Sequence, residues 1–336
     1  LIGALAADKN SPLGNWRIAA KDHSAVSVLE GMQAYKENKL TYAKGADVSV
    51  GYTAFTAQVQ INTTDKSEFP QAIEAAKSAD VVVMVLGEIG YQSGEGRSRT
   101  KLGLPGVQQE LLEAVYEVNK NIVLVLNNGR PLVLNWHQKH LPAIVEAWQL
   151  GTQSGNAIAQ VLYGDYNPSG KLPMSFPRAV GQVPIYYNYK NTGRPTGAPG
   201  VFWSHYEDEE NAPLYPFGYG LSYTSFEYSN LKTSVVSEKE VQVSVTLKNS
   251  GKQTGKEVVQ LYIRDHFASV TRPVRELKGF ELVSLEPNES QEVLFTLTEK
   301  ELGFYDNDGN FILEPGDFSI FVGGDSNANL QAIISL

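Results

Sequence analysis

The 336-residue chain contains no cysteine, which excludes disulfides, thiolate catalysis and Cys-ligated metal and fits either a reducing or an oxidising compartment. Long hydrophobic runs are missing too. Stretches such as Val81-Val-Val-Met-Val-Leu86 fall far short of the ~20 residues that cross a bilayer, so no membrane-spanning helix is expected. Positive charge is scarce: 28 Lys and Arg stand against 37 Asp and Glu, a net charge of −9. No segment gathers basic residues into a phosphate-binding surface, which argues against a nucleic-acid partner. The start, Leu1-Ile-Gly-Ala-Leu-Ala6, has no initiator Met, basic n-region or cleavage site. It reads as a buried strand of a longer polypeptide, with any signal peptide upstream. What remains, 42% hydrophobic and 19% charged residues, is ordinary globular composition, and the length calls for two domains.

Residues 1–177 alternate short β-branched runs with helical periods, the pattern of an open, mostly parallel sheet flanked by helices. Strands are expected at Leu1 to Leu5, Val81 to Leu86, Ile122 to Leu126 and Ala143 to Trp148, each apolar enough to be covered on both faces. Helices are expected at Ala25 to Asn38, Gln71 to Ser78, Val107 to Lys120 and Gly155 to Tyr163. From about residue 226 to 336 the period becomes two: Val241, Val243, Val245 and Leu247 alternate with polar residues, as do Val259, Leu261 and Ile263, then Val293, Phe295 and Leu297, then Phe318, Ile320 and Val322. Turn signals at Asn249-Ser-Gly251, Asp308-Gly309 and Pro315-Gly316 separate them, which predicts an all-β, immunoglobulin-like sandwich. Between the two, residues 178–225 are rich in Pro, Gly and Tyr, and are expected to form an ordered connecting segment packed against other structure.

In an open α/β sheet the chemistry sits in loops beyond the carboxyl ends of the strands. The run Val81 to Leu86 leads into such a loop, Gly87 to Leu104, which holds five glycines, two glutamates and two arginines. A carboxylate on a Gly-flanked loop suits a general acid that must enter a pocket. From spacing alone, a solvated loop with exposed acids is the plainer reading.

Ordered blocks along the chain add a resemblance. They are Leu13-Gly-Asn-Trp16, then Glu95-Gly-Arg-Ser-Arg99 with Leu102-Gly-Leu-Pro-Gly106, then Asn128-Gly-Arg-Pro-Leu132 and Glu146-Ala-Trp-Gln-Leu-Gly151. Gly164-Asp-Tyr-Asn-Pro-Ser-Gly-Lys-Leu-Pro173 and Tyr215-Pro-Phe-Gly-Tyr-Gly-Leu-Ser-Tyr223 follow. Together they resemble glycoside hydrolase family 3, the β-glucosidase family, over essentially the whole chain, with the last domain similar to its fibronectin type III-like module. The resemblance implies that Glu95 is the general acid/base of a retaining enzyme. The nucleophile is then an Asp on an N-terminal (β/α)8 barrel of the same enzyme, a part not contained in these residues. It also implies that Trp16 is an aromatic wall on the leaving-group side of the sugar site, although its position alone reads as core. Glu88, directly after the strand, is the runner-up acid. Arg99 is a candidate sugar contact or the partner of a loop acid.

The implied substrate is an oligosaccharide or β-glucoside with a non-reducing terminal sugar. No cofactor or metal is implied, the setting would be periplasmic or extracellular, and a homodimer is an admissible assembly. The competing reading is a non-catalytic carbohydrate-associated binding, dimerisation or structural module.

The remaining motifs are read as structural. Trp136, Trp148 and Trp203 are expected in the core or between domains, and Arg130 in an internal pair. His137 and His140 are expected to be a solvated pair rather than metal ligands. Asp306-Asn-Asp-Gly309 is expected to be a hairpin turn and not a calcium loop. Gly164 to Lys171 lacks the spacing of a phosphate loop. Asn62-Thr-Thr64 and Asn288-Glu-Ser290 match the glycosylation acceptor pattern.

Overall fold

Three apolar runs pair side by side to make the sheet of the first half of the chain. β3 (Val82–Gly87), β4 (Ile122–Asn127) and β5 (Ala143–Glu146) lie in the order β3-β4-β5, all parallel, with Val82 opposite Ile122 and Leu126 opposite Glu146. The structure, a computed structural model, describes residues 1–17, 19–194 and 200–336. Its two compact units are Leu1–Tyr166 and Asn167–Leu336.

In the first unit the elements run α1 (Val28–Gln33), β1 (Ser49–Val50), β2 (Gln60–Ile61), α2 (Phe69–Lys77), β3, α3 (Gln108–Val118), β4, α4 (Asn135–His140), β5 and α5 (Ser154–Tyr163). Leu124, Val125 and Leu126 are fully buried, and each such side chain stabilises the fold by about 1.5–3 kcal/mol relative to exposure. Helix α3 buries Leu111, Leu112 and Val115 on one face, as its 3.6-residue period requires. The expected strand Leu1 to Leu5 is not one. Only Ile2 pairs, as single parallel bridges to Met84 and Ala43. Gly3 then turns away at φ 118° into a 3-10 turn over Ala4–Ala6, and that backbone geometry cannot continue a strand. Helix α1 is also shorter than expected. It begins where Ser27 and Glu30 form a capping box, and its Gly31 lies against the Gly155 backbone of α5, where a Cβ would come within 2.1 Å of a carbonyl oxygen.

The second unit is a sandwich. β6 (Phe226–Ser237), β7 (Glu240–Asn249), β8 (Gly255–Asp265), β9 (Glu276–Leu285), β10 (Ser290–Thr298), α6 (Glu299–Leu302), β11 (Phe304–Tyr305), β12 (Phe311–Ile312), β13 (Asp317–Gly323) and β14 (Leu330–Ser335) follow in order. One sheet is β10-β7-β6 and the other β14-β13-β8-β9, every pair antiparallel. Alternate residues of both sheets, from Val241, Val243 and Val245 to Ile320 and Val322, meet in one core, which is the arrangement that a period of two specifies. The compact units divide between Tyr166 and Asn167, whereas the composition shift pointed to residue 177. The reason lies in side chains: Lys171 pairs with Glu257 at 3.0 Å, Gln260 donates to Gly218 O, and Tyr187 stacks on Phe217 and meets Tyr262 edge-on. Of the expected connecting segment 178–225, residues 195–199 lie outside the described residues.

Smaller expectations sort themselves by burial. His137 is buried and neither ring nitrogen has a hydrogen-bond partner, so it is not solvated; burial pushes its pKa down to about 4. His140 stacks on Trp136. None of the four tryptophans is buried, and Trp148 holds a positive φ of 47° beyond β5. Asp306 does form a turn, its carboxylate accepting from the backbone N–H groups of Asp308 and Asn310. Asn62 is buried, with its amide donating to the carbonyls of Asp47 and Asp65, which leaves it no room for a glycan.

Candidate functional site

The carboxyl ends of β3, β4 and β5 carry Glu88, Asn128 and Glu146, and the loop after β3 spreads over them. Its course is set at both ends by one side chain. Gln108, at the start of α3, accepts from Gly87 N at 2.9 Å and donates to Gly87 O at 2.8 Å and Pro105 O at 2.9 Å. Gly87 must be glycine: φ is 132°, and a Cβ would lie 2.2 Å from Asn127 O.

Glu88 is completely buried. A buried carboxylate persists only with partners, and here there are two guanidinium groups. Arg99 Nη1 lies 2.5 Å and Arg130 Nε 3.0 Å from its Oε1, and the backbone N–H of Gly129 donates to Oε2 at 3.3 Å. Arg99 also donates to Gly103 O at 3.0 Å. Arg130 reaches further, its Nη2 donating both to Gln92 O and, at 2.8 Å, to Arg97 O.

Those two carbonyls flank a β-turn. Arg97 N donates to Gly94 O at 3.2 Å, which puts Glu95 and Gly96 at the two middle positions. Gly96 has φ 68°, as the third residue of a type II turn requires. Glu95 is therefore the exposed apex, and it makes no hydrogen bond or ion pair with any described residue. Gly94, at φ 110°, rests on the buried Asn15, whose amide nitrogen would be 2.1 Å from an added Cβ. The turn is thus held on one side by Arg130 and on the other by the segment carrying Trp16.

Trp16 is 60% exposed and lies beside Phe55, ring centroids 5.9 Å apart and tilted by 59°. Arg97 ties this pair to the loop by donating to Phe55 O at 2.6 Å and Ala57 O at 3.1 Å. Arg17 bridges Asn10 Oδ1 at 2.7 Å and the Tyr91 hydroxyl at 2.6 Å. Of the residues singled out from sequence, Glu88 and Arg99 come together directly. Among the described residues, Glu95 and Trp16 are joined through Arg97, Phe55, Gly94 and Asn15.

Glu146 was not singled out as a site residue. Its Oε1 accepts from Trp148 N at 3.0 Å and its Oε2 from Asn128 Nδ2 at 3.3 Å. Burial, reinforced by the Glu88 charge and opposed by those two hydrogen bonds, pushes its pKa up to about 8. The group therefore holds its proton at neutral pH. Its place at the end of a parallel strand was the only available signal. Among the described residues no group of three His, Asp or Glu side chains could hold a metal ion, and no helix is long and apolar enough to cross a membrane.

A parallel sheet flanked by helices, with an antiparallel sandwich after it, is the fold of solved β-glucosidases. The crystal structure of a Listeria innocua β-glucosidase in complex with isofagomine superposes with a TM-score of 0.88 at 35% identity, covering 100% of this chain and 45% of that one. That places the fold in a class. The chain belongs to glycosyl hydrolase family 3: the family's C-terminal domain matches residues 1–223, and a fibronectin type III-like domain matches residues 257–326. A periplasmic beta-glucosidase of Salmonella typhimurium is 43% identical over 97% of this chain and 44% of its own length. A beta-xylosidase of Formosa agariphila is 42% identical over 93% of this chain and 41% of its own. The chain therefore spans less than half the length of these relatives.

Proposed function

We propose that this chain supplies the general acid/base of a retaining β-glucosidase-type hydrolase that removes non-reducing terminal β-linked sugars, with Glu95 as that group. The observation that carries the reading is the contrast between the two loop acids. Glu88 is sealed and spent on two arginines, while Glu95 stands exposed and unpaired on a turn whose base is fixed. A proton donor must reach a substrate oxygen, and of the two only Glu95 has access. Trp16 with Phe55 offers the sugar-facing wall, and Arg99 serves Glu88.

In this reading the nucleophile belongs to an N-terminal (β/α)8 barrel of the same enzyme. Its carboxylate attacks the anomeric carbon at about 5–5.5 Å from the Glu95 carboxyl while Glu95 protonates the departing oxygen. The Glu95 carboxylate then takes a proton from the water that hydrolyses the glycosyl-enzyme. Residues 1–336 alone should therefore not turn over an aryl β-glucoside, and efficient hydrolysis by them would remove the need for a barrel carboxylate. A periplasmic or extracellular setting accords with the name of the Salmonella relative.

The test is Glu95→Ala in the whole enzyme. kcat/KM should fall by about 10²–10⁴ on glucosides with poor leaving groups and far less on 2,4-dinitrophenyl glucoside, which needs no protonation. An unchanged rate, or an equal loss on both, would take Glu95 out of the mechanism.

A further inference from the structure

Arg130 is placed to do something that a partner for Glu88 alone would not need. Its Nε is engaged by the buried Glu88 carboxylate, which fixes the plane of the guanidinium. The same group then presents Nη2 to two carbonyls, Gln92 O and Arg97 O, which bracket the stretch from Ser93 to Gly96. Three separate acceptors around one rigid fork define a position and an orientation, which a lysine ammonium on a flexible stem cannot do.

Among the described residues the Glu95 side chain has no hydrogen-bond or ion-pair partner. Gly94 is stopped from the far side by Asn15, so the turn cannot relax inward when Arg130 lets go. Arg97, whose carbonyl Arg130 holds, is also the residue that grips Phe55 and Ala57. Arg130 therefore fixes the turn, and through the Arg97 carbonyl it also braces the residue whose guanidinium ties the turn to the wall made by Phe55 and Trp16.

We infer that Arg130, anchored by Glu88, is the positioning residue for the Glu95 carboxyl, closing the base of its turn and fixing its distance from the sugar-facing wall. The inference rests on Glu95 being the acid/base, as proposed above. Misplacing a reacting group by about 1 Å can cost about 10²-fold, so loosening this clamp should appear selectively in the step that Glu95 performs.

The experiment compares Arg130→Lys, Glu95→Ala and the double variant in the whole enzyme, using phenyl and 2,4-dinitrophenyl β-glucoside. Lysine keeps a positive charge beside Glu88 but cannot hold both carbonyls. With Arg130→Lys, kcat/KM should fall about 10–100-fold on the phenyl glucoside and less than about 3-fold on the dinitrophenyl glucoside. The ratio of the two rates on one preparation is independent of how much enzyme is folded. In the Glu95→Ala background, adding Arg130→Lys should change either rate by less than about 3-fold, because the group it positions is already gone. Arg130→Gln is read in the same way if the lysine variant does not fold. An equal loss on both substrates, or a full multiplicative loss in the double variant, overturns the inference while Glu95 stands. If Glu95→Ala itself shows no leaving-group dependence, the acid/base reading falls and takes this inference with it.

Discussion

The sandwich core and the carboxyl ends of β3 and β4 are both buried, and they are held by opposite means. Between the two sheets of the sandwich, Val241, Val243, Val245, Leu247, Leu261 and Ile320 bury apolar surface without a polar atom among their side chains. At the ends of β3 and β4 the buried residues include Glu88, held by two arginines and the Gly129 N–H, and Asn128, whose amide donates to Arg130 O and Glu146 Oε2. The first region gains stability with area and loses it gradually. The second depends on Glu88 keeping its two guanidinium partners, so that deleting it strands both. Polar burial of this cost sits where a loop must be held still, at the foot of the exposed Glu95.

The largest effect is therefore expected from Glu88→Ala. It leaves Arg99 and Arg130 facing each other without their anion and should cost about 3–5 kcal/mol in urea unfolding. Leu261→Ala, in the sandwich core, should cost about 3 kcal/mol through lost transfer energy and the cavity left behind. If Glu88→Ala proved the milder of the two, the contrast between the regions would fail. A pH-dependent effect concerns Glu146, whose pKa is raised to about 8 from an ordinary value of 4.5. The folded state holds this proton more tightly than the unfolded chain does. Its contribution is fully present below pH 4.5 and is lost as pH rises through about 8. Glu146→Gln, a neutral mimic of the protonated acid, should flatten the decline in Tm between pH 5 and 9. An unchanged slope would show that Glu146 is not the group responsible.

The sandwich was legible because a period of two admits few other structures, and β3 and β4 because continuous β-branched runs bounded by turn residues do the same. The run Leu1 to Leu5 looked alike but failed at Gly3, whose backbone conformation is invisible in the letters. His137 looked like half of a polar pair, and packing decided otherwise. At the site, the Gly-flanked loop carrying Glu95 was legible, but the turn that makes Glu95 its apex was not. The clamp beneath it left no trace, because Arg130 spans 38 and 33 residues to reach two backbone carbonyls. An acceptor that every residue carries has no sequence signature. Glu146 was hidden for a related reason, since its proton is held by burial rather than by a neighbouring motif.

The most direct test of the central claim is the product that the Glu95→Ala variant of the whole enzyme forms in azide with an activated aryl β-glucoside. Azide needs no general base, so it should attack the accumulated glycosyl-enzyme, raise the rate, and yield the β-glucosyl azide with retained configuration by NMR. An α-glucosyl azide, or no azide product and no rate increase, would contradict the assignment of Glu95 as the acid/base.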